Sequence, residues 1–234
     1  MEKFKTFCKK YTFEIIFLVV SLAALITSSI VFKSHVLVLI CTTLGLVGSV
    51  LNSKGNALCY MLAMTSSITY GIVSLEADFI GEVILHWGFL VPLYIYSLIK
   101  WLKPNKNKTS IVRPVFSLNK EKTIFLTIIA LIVVGVYGVV LKYLLKSDFP
   151  FLNAASTVCL LFANLLGAKR VRQQWYVHMI GNIVLITLWL LKKEQGNYPI
   201  FIQNVLFFII NIRGVILWTK LSKTYERLIE PSDC

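Results

Sequence analysis

"VPLYIYSLIKW" (residues 91–101) and "IINIRGVILW" (residues 209–218) each bring an apolar segment to a closing tryptophan. Laying Trp101 on Trp218 sets an offset of 117 residues, and at that offset the apolar segments 36–51, 57–75 and 81–101 fall on 153–168, 174–192 and 198–218 without a gap. Identity between the two halves is weak, so the correspondence is one of hydropathy. Two three-helix units whose equivalent members lie four spans apart must cross a membrane in the same direction. Parallel repeats about an axis along the membrane normal are a known transporter plan, with the solute site between the repeats near mid-depth.

Outward from those two stretches, apolar runs between charged or turn-rich breaks predict eight spans, near 12–32, 36–51, 57–75, 81–101, 122–145, 151–168, 172–191 and 198–219. The chain has 234 residues, 57% of them hydrophobic and only 15% charged, with a mean hydropathy of +0.75. Repeated runs of roughly 17–25 apolar residues place it in the polytopic membrane class. The expected fold is all-α. Residues 1–35 form an extra N-terminal transmembrane helix, 36–101 the first three-helix repeat and 102–145 a basic loop with a linker helix. Residues 151–219 form the second repeat and 220–234 a tail. The first run lacks a small-residue cleavage site and is long enough to span, so it reads as a membrane helix rather than a signal peptide.

The net charge of +13 is spread over short loops, which argues against a nucleic-acid surface. Threaded with the N-terminus inside, 18 of the 24 basic residues fall on the cytoplasmic side, 5 fall on the opposite side and Arg213 lies within the last span. Lys and Arg mark cytoplasmic loops, so the split predicts both termini in the cytoplasm and, for the whole protein, a cell-membrane location. The five cysteines are scattered, with no CxxC pair, and read as small packing residues.

Polar groups at membrane depth are expensive and mark solute pathways. On the seventh span Trp175, His178, Asn182 and Trp189 follow helical spacing along one stripe. On the eighth, Asn204, Phe207, Asn211 and Gly214 do the same, with Gln203 at the edge. The 117-residue offset lays His86 on Gln203, Trp87 on Asn204 and Tyr94 on Asn211. An aromatic plane beside amides and an imidazole suits a flat ring with polar edges: stacking gives affinity and hydrogen bonds give choice. The bland alternative is that these amides glue helices together. Arg213, about four residues from the predicted cytoplasmic end, reads as structural or gating and within reach of snorkelling.

Other classes lack their chemistry. Glu14 and Glu82 lie at span ends, so no carboxylate is expected at mid-membrane, which leans towards uncoupled transport. There is no HExxH, no phosphate-cradling loop and no Lys deep in a late span, against a metalloenzyme, a nucleotide-driven pump and a retinal-type receptor. No metal, cofactor or enzymatic activity is expected.

The first unit, "GLVGSVLNSKGNALCYMLAMTSSITYGIVSLEADFIGEVILHWGFLVPLYIYSLIKW" (45–101), resembles the first repeat of the PnuC vitamin transporter family. The shared features are a Tyr-Gly step, a Gly-Glu turn, a proline in the third helix and a closing Trp. The second unit, "FLNAASTVCLLFANLLGAKRVRQQWYVHMIGNIVLITLWL" (151–190) with "NIRGVILW" (211–218), resembles the family's basic loop, its Trp-x-x-Trp followed by Asn, and its closing Asn-x-x-Gly-x-x-x-Trp. The resemblance implies a three-plus-one-plus-three arrangement similar to the SWEET sugar carriers. It further implies facilitated diffusion of a nucleoside-like vitamin precursor, trapped by a cytoplasmic kinase. Nicotinamide riboside is the first choice of substrate; an uncharged deoxynucleoside, thiamine and riboflavin are the alternatives. By position, Trp175 would stack on the substrate ring while Asn182 and Asn211 hydrogen-bond it. His178 stands where the family pattern has its second Trp, and His86 and Tyr94 stand where Asn and Gln are expected. The candidate substrate-binding set is therefore Trp175, His178, Asn182, Asn211, Asn204, Gln203, Tyr94 and His86. The expected partners are the solute and membrane lipid, with homo-oligomerisation left open; a non-transporting receptor or structural role is the competing class.

Overall fold

The computed structural model describes residues 2–76, 80–103, 115–192 and 198–229. They form eight helical rods: α1 (Glu2–Val31), α2 (Val36–Ser53), α3 (Cys59–Glu76), α4 (80–102), α5 (Lys120–Tyr143), α6 (Pro150–Ala168), α7 (Gln174–Lys192) and α8 (Tyr198–Ile229). The extended structure among the described residues is a single bridge between Phe116 and Val171. Local chemistry sets the ends. His35 caps α2, its Nδ1 accepting from the Leu37 N–H at 3.3 Å, and Asn119 caps α5, its Oδ1 accepting from the Lys122 N–H at 3.1 Å. Phe149, in the left-handed region at φ 51°, turns the chain into Pro150 at the first position of α6. Between α2 and α3 the tight turn needs a positive φ, supplied by Gly55 at 70°.

Predicted and observed spans agree to within a few residues except at two ends. α1 begins ten residues before the predicted 12, and α8 runs ten residues past the predicted 219, through most of the expected tail. Apolar runs stop where hydrocarbon stops, whereas Lys, Arg and Glu continue a helix readily. Residues 104–114 of the expected basic loop lie outside the described residues.

Seven of the rods are long and apolar enough to cross a membrane; α3 falls short. Its deficit comes from Thr65, Ser66, Ser67, Thr69, Tyr70 and Ser74, and its buried set includes Tyr60, Ser67, Gly71 and Ser74. Much of that polarity is therefore turned inward.

Neighbours around the bundle run α2, α3, α4, α6, α7, α8 and back to α2, closing a ring of six helices. The other two stand outside it: α5 packs against α6, and α1 against α2 and α8. α5 shows a broad apolar face of Ile124, Phe125, Ile128, Leu131, Ile132, Val136 and Val139, as a lipid-facing helix must. One carboxylate fastens α1. Glu14 lies 2.6 Å from Lys54 Nζ in the α2–α3 turn, and it accepts from Arg213 Nε and Nη2 of α8 at 3.2 and 3.1 Å. Arg213 is therefore paired rather than snorkelling.

α4 is not a uniform α-helix. Ile84–Leu90 winds as a π-helical turn between Ile80–Val83 and Val91–Leu102, with the Val91 N–H reaching back five residues to the His86 carbonyl. Such turns insert one residue into the helix.

Candidate functional site

The six-helix ring surrounds a partly open cavity of about 160 Å³, a concave space with a few polar groups set among apolar and aromatic side chains, as small-ligand sites are. α7 contributes Trp175, His178, Asn182 and Leu185 to its wall; α8 contributes Ile200, Gln203, Asn204, Phe207 and Asn211. From α4 come Glu82, Leu85, His86 and Tyr94, and from α3 Tyr60, Ala63, Ser66, Ser67 and Tyr70. All eight residues of the candidate set line this one cavity.

The amides form a chain. Asn211 Nδ2 donates to Asn182 Oδ1 at 2.7 Å, Asn182 Nδ2 to Asn204 Oδ1 at 3.1 Å, and Asn204 Nδ2 to the Ile200 carbonyl at 2.9 Å. Gln203 Nε2 donates to the Thr42 carbonyl of α2 at 2.9 Å. The gluing and lining readings therefore both hold: the same amides that tie α7 to α8 also face the cavity. Each amide carries two donor hydrogens and a two-lone-pair acceptor, so the chain leaves hydrogen-bonding capacity at Asn211 and Gln203.

One end of the cavity closes on aromatics. Trp175 meets Trp218 edge-on at 5.6 Å, Trp218 lies 6.1 Å from Trp101, and Tyr60 meets Trp101 edge-on at 5.1 Å. The Arg170 guanidinium covers the Trp101 ring at 4.9 Å. Trp101, Trp175 and Trp218 are each only 1% exposed. Gly214 makes the room: a Cβ there would collide with the Trp175 ring. The Trp175 indole N–H and the Tyr60 hydroxyl are buried without hydrogen-bond partners. Polar groups of this kind call for an explanation, and both residues border the cavity.

At the other end, His86 Nδ1 lies 3.1 Å from Ser67 Oγ and His86 Nε2 lies 3.6 Å from Glu82 Oε2. The Tyr70 ring lies against the His86 ring at 4.4 Å. Glu82 lies near the start of α4, at a span end as expected, and also lines the cavity there. Among the described residues it is the one charged side chain on the cavity wall if the histidines are neutral, and no Lys or Arg lines it.

Two stripe assignments and the gapless register also change. Trp189 packs beside Val38, Val73 and Ile200 instead of lining the cavity. Trp87 is 41% exposed and donates to the Ile68 carbonyl at 3.2 Å. The offset of 117 sets Leu58 and Met61 opposite Trp175 and His178, yet both are exposed. Cavity-facing residues instead pair at 115 in the first two helices of each half: Ser49 with Asn164, Tyr60 with Trp175, Ala63 with His178 and Ser67 with Asn182. In the third helices Tyr94 keeps its 117-residue offset to Asn211, while His86 answers Asn204 at 118. The residue added by the π-helical turn accounts for the step from 117 to 118.

A ring of lipid-compatible helices around a nearly charge-free cavity lined by apolar, aromatic and amide side chains is the architecture of a polytopic membrane transporter. The sequence model of the family described as nicotinamide mononucleotide transporter matches residues 35–220, and the chain belongs to that family. It is 27% identical over 188 residues to a nicotinamide riboside transporter PnuC from Neisseria mucosa, covering 78% of this chain and 71% of that protein. In fold it is similar to the crystal structure of the vitamin B3 transporter PnuC. The TM-score is 0.76 at 23% identity, over 91% of this chain and 93% of that one.

Proposed function

We propose that this protein carries nicotinamide riboside into the cell by uncoupled facilitated diffusion, with intracellular phosphorylation trapping the solute. The observation that carries the reading is the cavity wall itself. Trp175 offers a buried aromatic surface at one end, and the Asn211–Asn182–Asn204 chain offers amides beside it. That is the equipment for a flat ring bearing a carboxamide. The family description mentions the mononucleotide, but a phosphate dianion would meet no Lys or Arg on the described wall and would face Glu82. The unphosphorylated riboside avoids that conflict.

Several features support a three-plus-one-plus-three topology of parallel repeats, with α1 as an addition and both termini cytoplasmic. α5 stands outside the ring between the two sets of three, and cavity residues recur at near-constant offsets. On this topology α3 crosses as an eighth span, carried by its inward polar face. The aromatic block of Tyr60, Trp101, Trp175 and Trp218 then serves as the cytoplasmic gate. The location of Glu82 near the start of α4, away from mid-depth, fits an uncoupled carrier.

The test is uptake of labelled riboside into empty liposomes holding the purified protein, expected to stop at equal concentration on the two sides. Accumulation driven by a proton or sodium gradient would refute the uncoupled mechanism. A second reading rests on His178, which takes the place of an aromatic wall with an imidazole: the substrate is then an uncharged nucleoside. A thermal-shift panel of nicotinamide riboside, thiamine, riboflavin and deoxynucleosides separates the two readings, and no shift with any of them favours a non-transporting role.

A further inference from the structure

The polar groups at the far end of the cavity from Trp175 are not needed to hold a ring against Trp175. Trp101 sits in the aromatic block with Trp175, and Glu82 precedes it by 19 residues on the same helix. At 1.5 Å per residue, and less through the π-helical turn, that is at most about 28 Å of rise. A solute stacked on Trp175 is therefore out of contact with Glu82. Yet Glu82 lines the cavity, its side chain is 13% exposed, and its carboxylate lies 3.6 Å from His86 Nε2. The Tyr70 ring lies 4.4 Å from the His86 ring, and both rings border the same space. A carboxylate beside aromatic surface is the chemistry that recognises an organic cation: charge attracts it and the ring face complements it.

We infer that Glu82, Tyr70 and His86 form a second, outer station for a cationic ring, which the solute occupies before it passes to Trp175. The inference rests on the riboside reading, because the pyridinium of that solute carries the positive charge the station selects. In a chain of net charge +13, a carboxylate at this end of the cavity also presents negative charge to an approaching cation. Its effect falls on the rate of capture more than on the depth of binding. Electrostatic steering acts on association and fades with salt.

The experiment compares nicotinamide riboside with its reduced dihydropyridine form, which is close in shape and uncharged. Association and dissociation rates are measured by stopped flow, using the purified protein's tryptophan fluorescence. For the unaltered protein, the association rate of the charged form is expected to fall about fivefold or more between about 20 mM and about 1 M salt, while that of the neutral form holds steady. Glu82→Gln should lower association of the charged form by about fivefold at low salt and change its dissociation less than about twofold. Glu82→Asp should restore most of the rate. Equal salt dependence for the two forms in the unaltered protein overturns the station without recourse to any variant. So does an equal loss for both forms in Glu82→Gln. Binding of both forms at equal, salt-independent rates sinks this proposal alone; binding of neither form sinks the riboside reading and the station with it.

Discussion

Gly214→Ala tests whether the position of Trp175 is what the solute reads. The added Cβ would lie 2.6 Å from Trp175 Cε2 and closer still to the neighbouring ring carbons, where carbon atoms settle at roughly 3.5–4.0 Å. The indole must therefore move by roughly 1 Å. Trp218 stands edge-on at 5.6 Å and the His178 ring at 6.3 Å, so the ring has little freedom except towards the cavity. Overpacking of this kind costs about 1–3 kcal/mol. Taken from the binding surface, that corresponds to an affinity loss of roughly 5- to 150-fold. The assay is isothermal titration of the purified variant with nicotinamide riboside, alongside its thermal midpoint. In a Trp175→Leu background the clash is gone, so Gly214→Ala should lower the midpoint much less than it does alone. Affinity within twofold of wild type, or an undiminished midpoint loss beside Leu, would refute the reasoning.

Other perturbations follow from the same geometry. Asn182→Ala leaves Asn204 Oδ1 and Asn211 Nδ2 without each other's bridge, at about 1–3 kcal/mol for each buried group. Titration should show binding abolished in a protein that still elutes as a single folded species from a sizing column. Glu14→Gln removes the shared partner of Lys54 and Arg213, whose side chains are 24% and 29% exposed. Partial solvation limits the loss to about 1–2 kcal/mol, visible as a lower thermal midpoint; an unchanged midpoint argues against α1 being held this way. His178→Trp puts a second large aromatic side chain where the His178 ring now lies 6.3 Å from Trp175, and should raise affinity for the cationic riboside several-fold relative to its dihydro form. Equal gains for both forms would point to simple packing.

Much of the fold was legible because its determinants are local. Gly55, Asn119 and Pro150 punctuate the chain where turn and cap chemistry says they should, and apolar runs mark what hydrocarbon can accept. Helix rotation was harder to read. Successive residues on an α-helix differ by about 100°, so a register error of two residues exchanges Tyr60, buried beside Trp101, for Leu58 on the outside. The eight polar and aromatic candidates were visible because such groups are rare in apolar helices. Tyr70 and Glu82 are visible in the sequence as parts of the Tyr-Gly step and the Gly-Glu turn, but their place on the cavity wall, like that of Tyr60 and Ser67, follows only once α3 and α4 are packed against their neighbours.

The π-helical turn of α4 also has a meaning for anyone who shortens or grafts this helix. Deleting one residue between Ile84 and Leu90 would leave both ends facing the pathway, because α8, one residue shorter between its matching positions, keeps Asn204 and Asn211 on the same wall. Annealing the ladder to ordinary α geometry with every residue kept would instead swivel everything before the turn by about 100° relative to everything after it. Trp101 and Tyr94 would keep their bearings while Glu82 swung off the pathway. Spelling and azimuth are thus coupled at this point: the wide turn, by absorbing one extra letter, keeps the two halves of α4 on one wall.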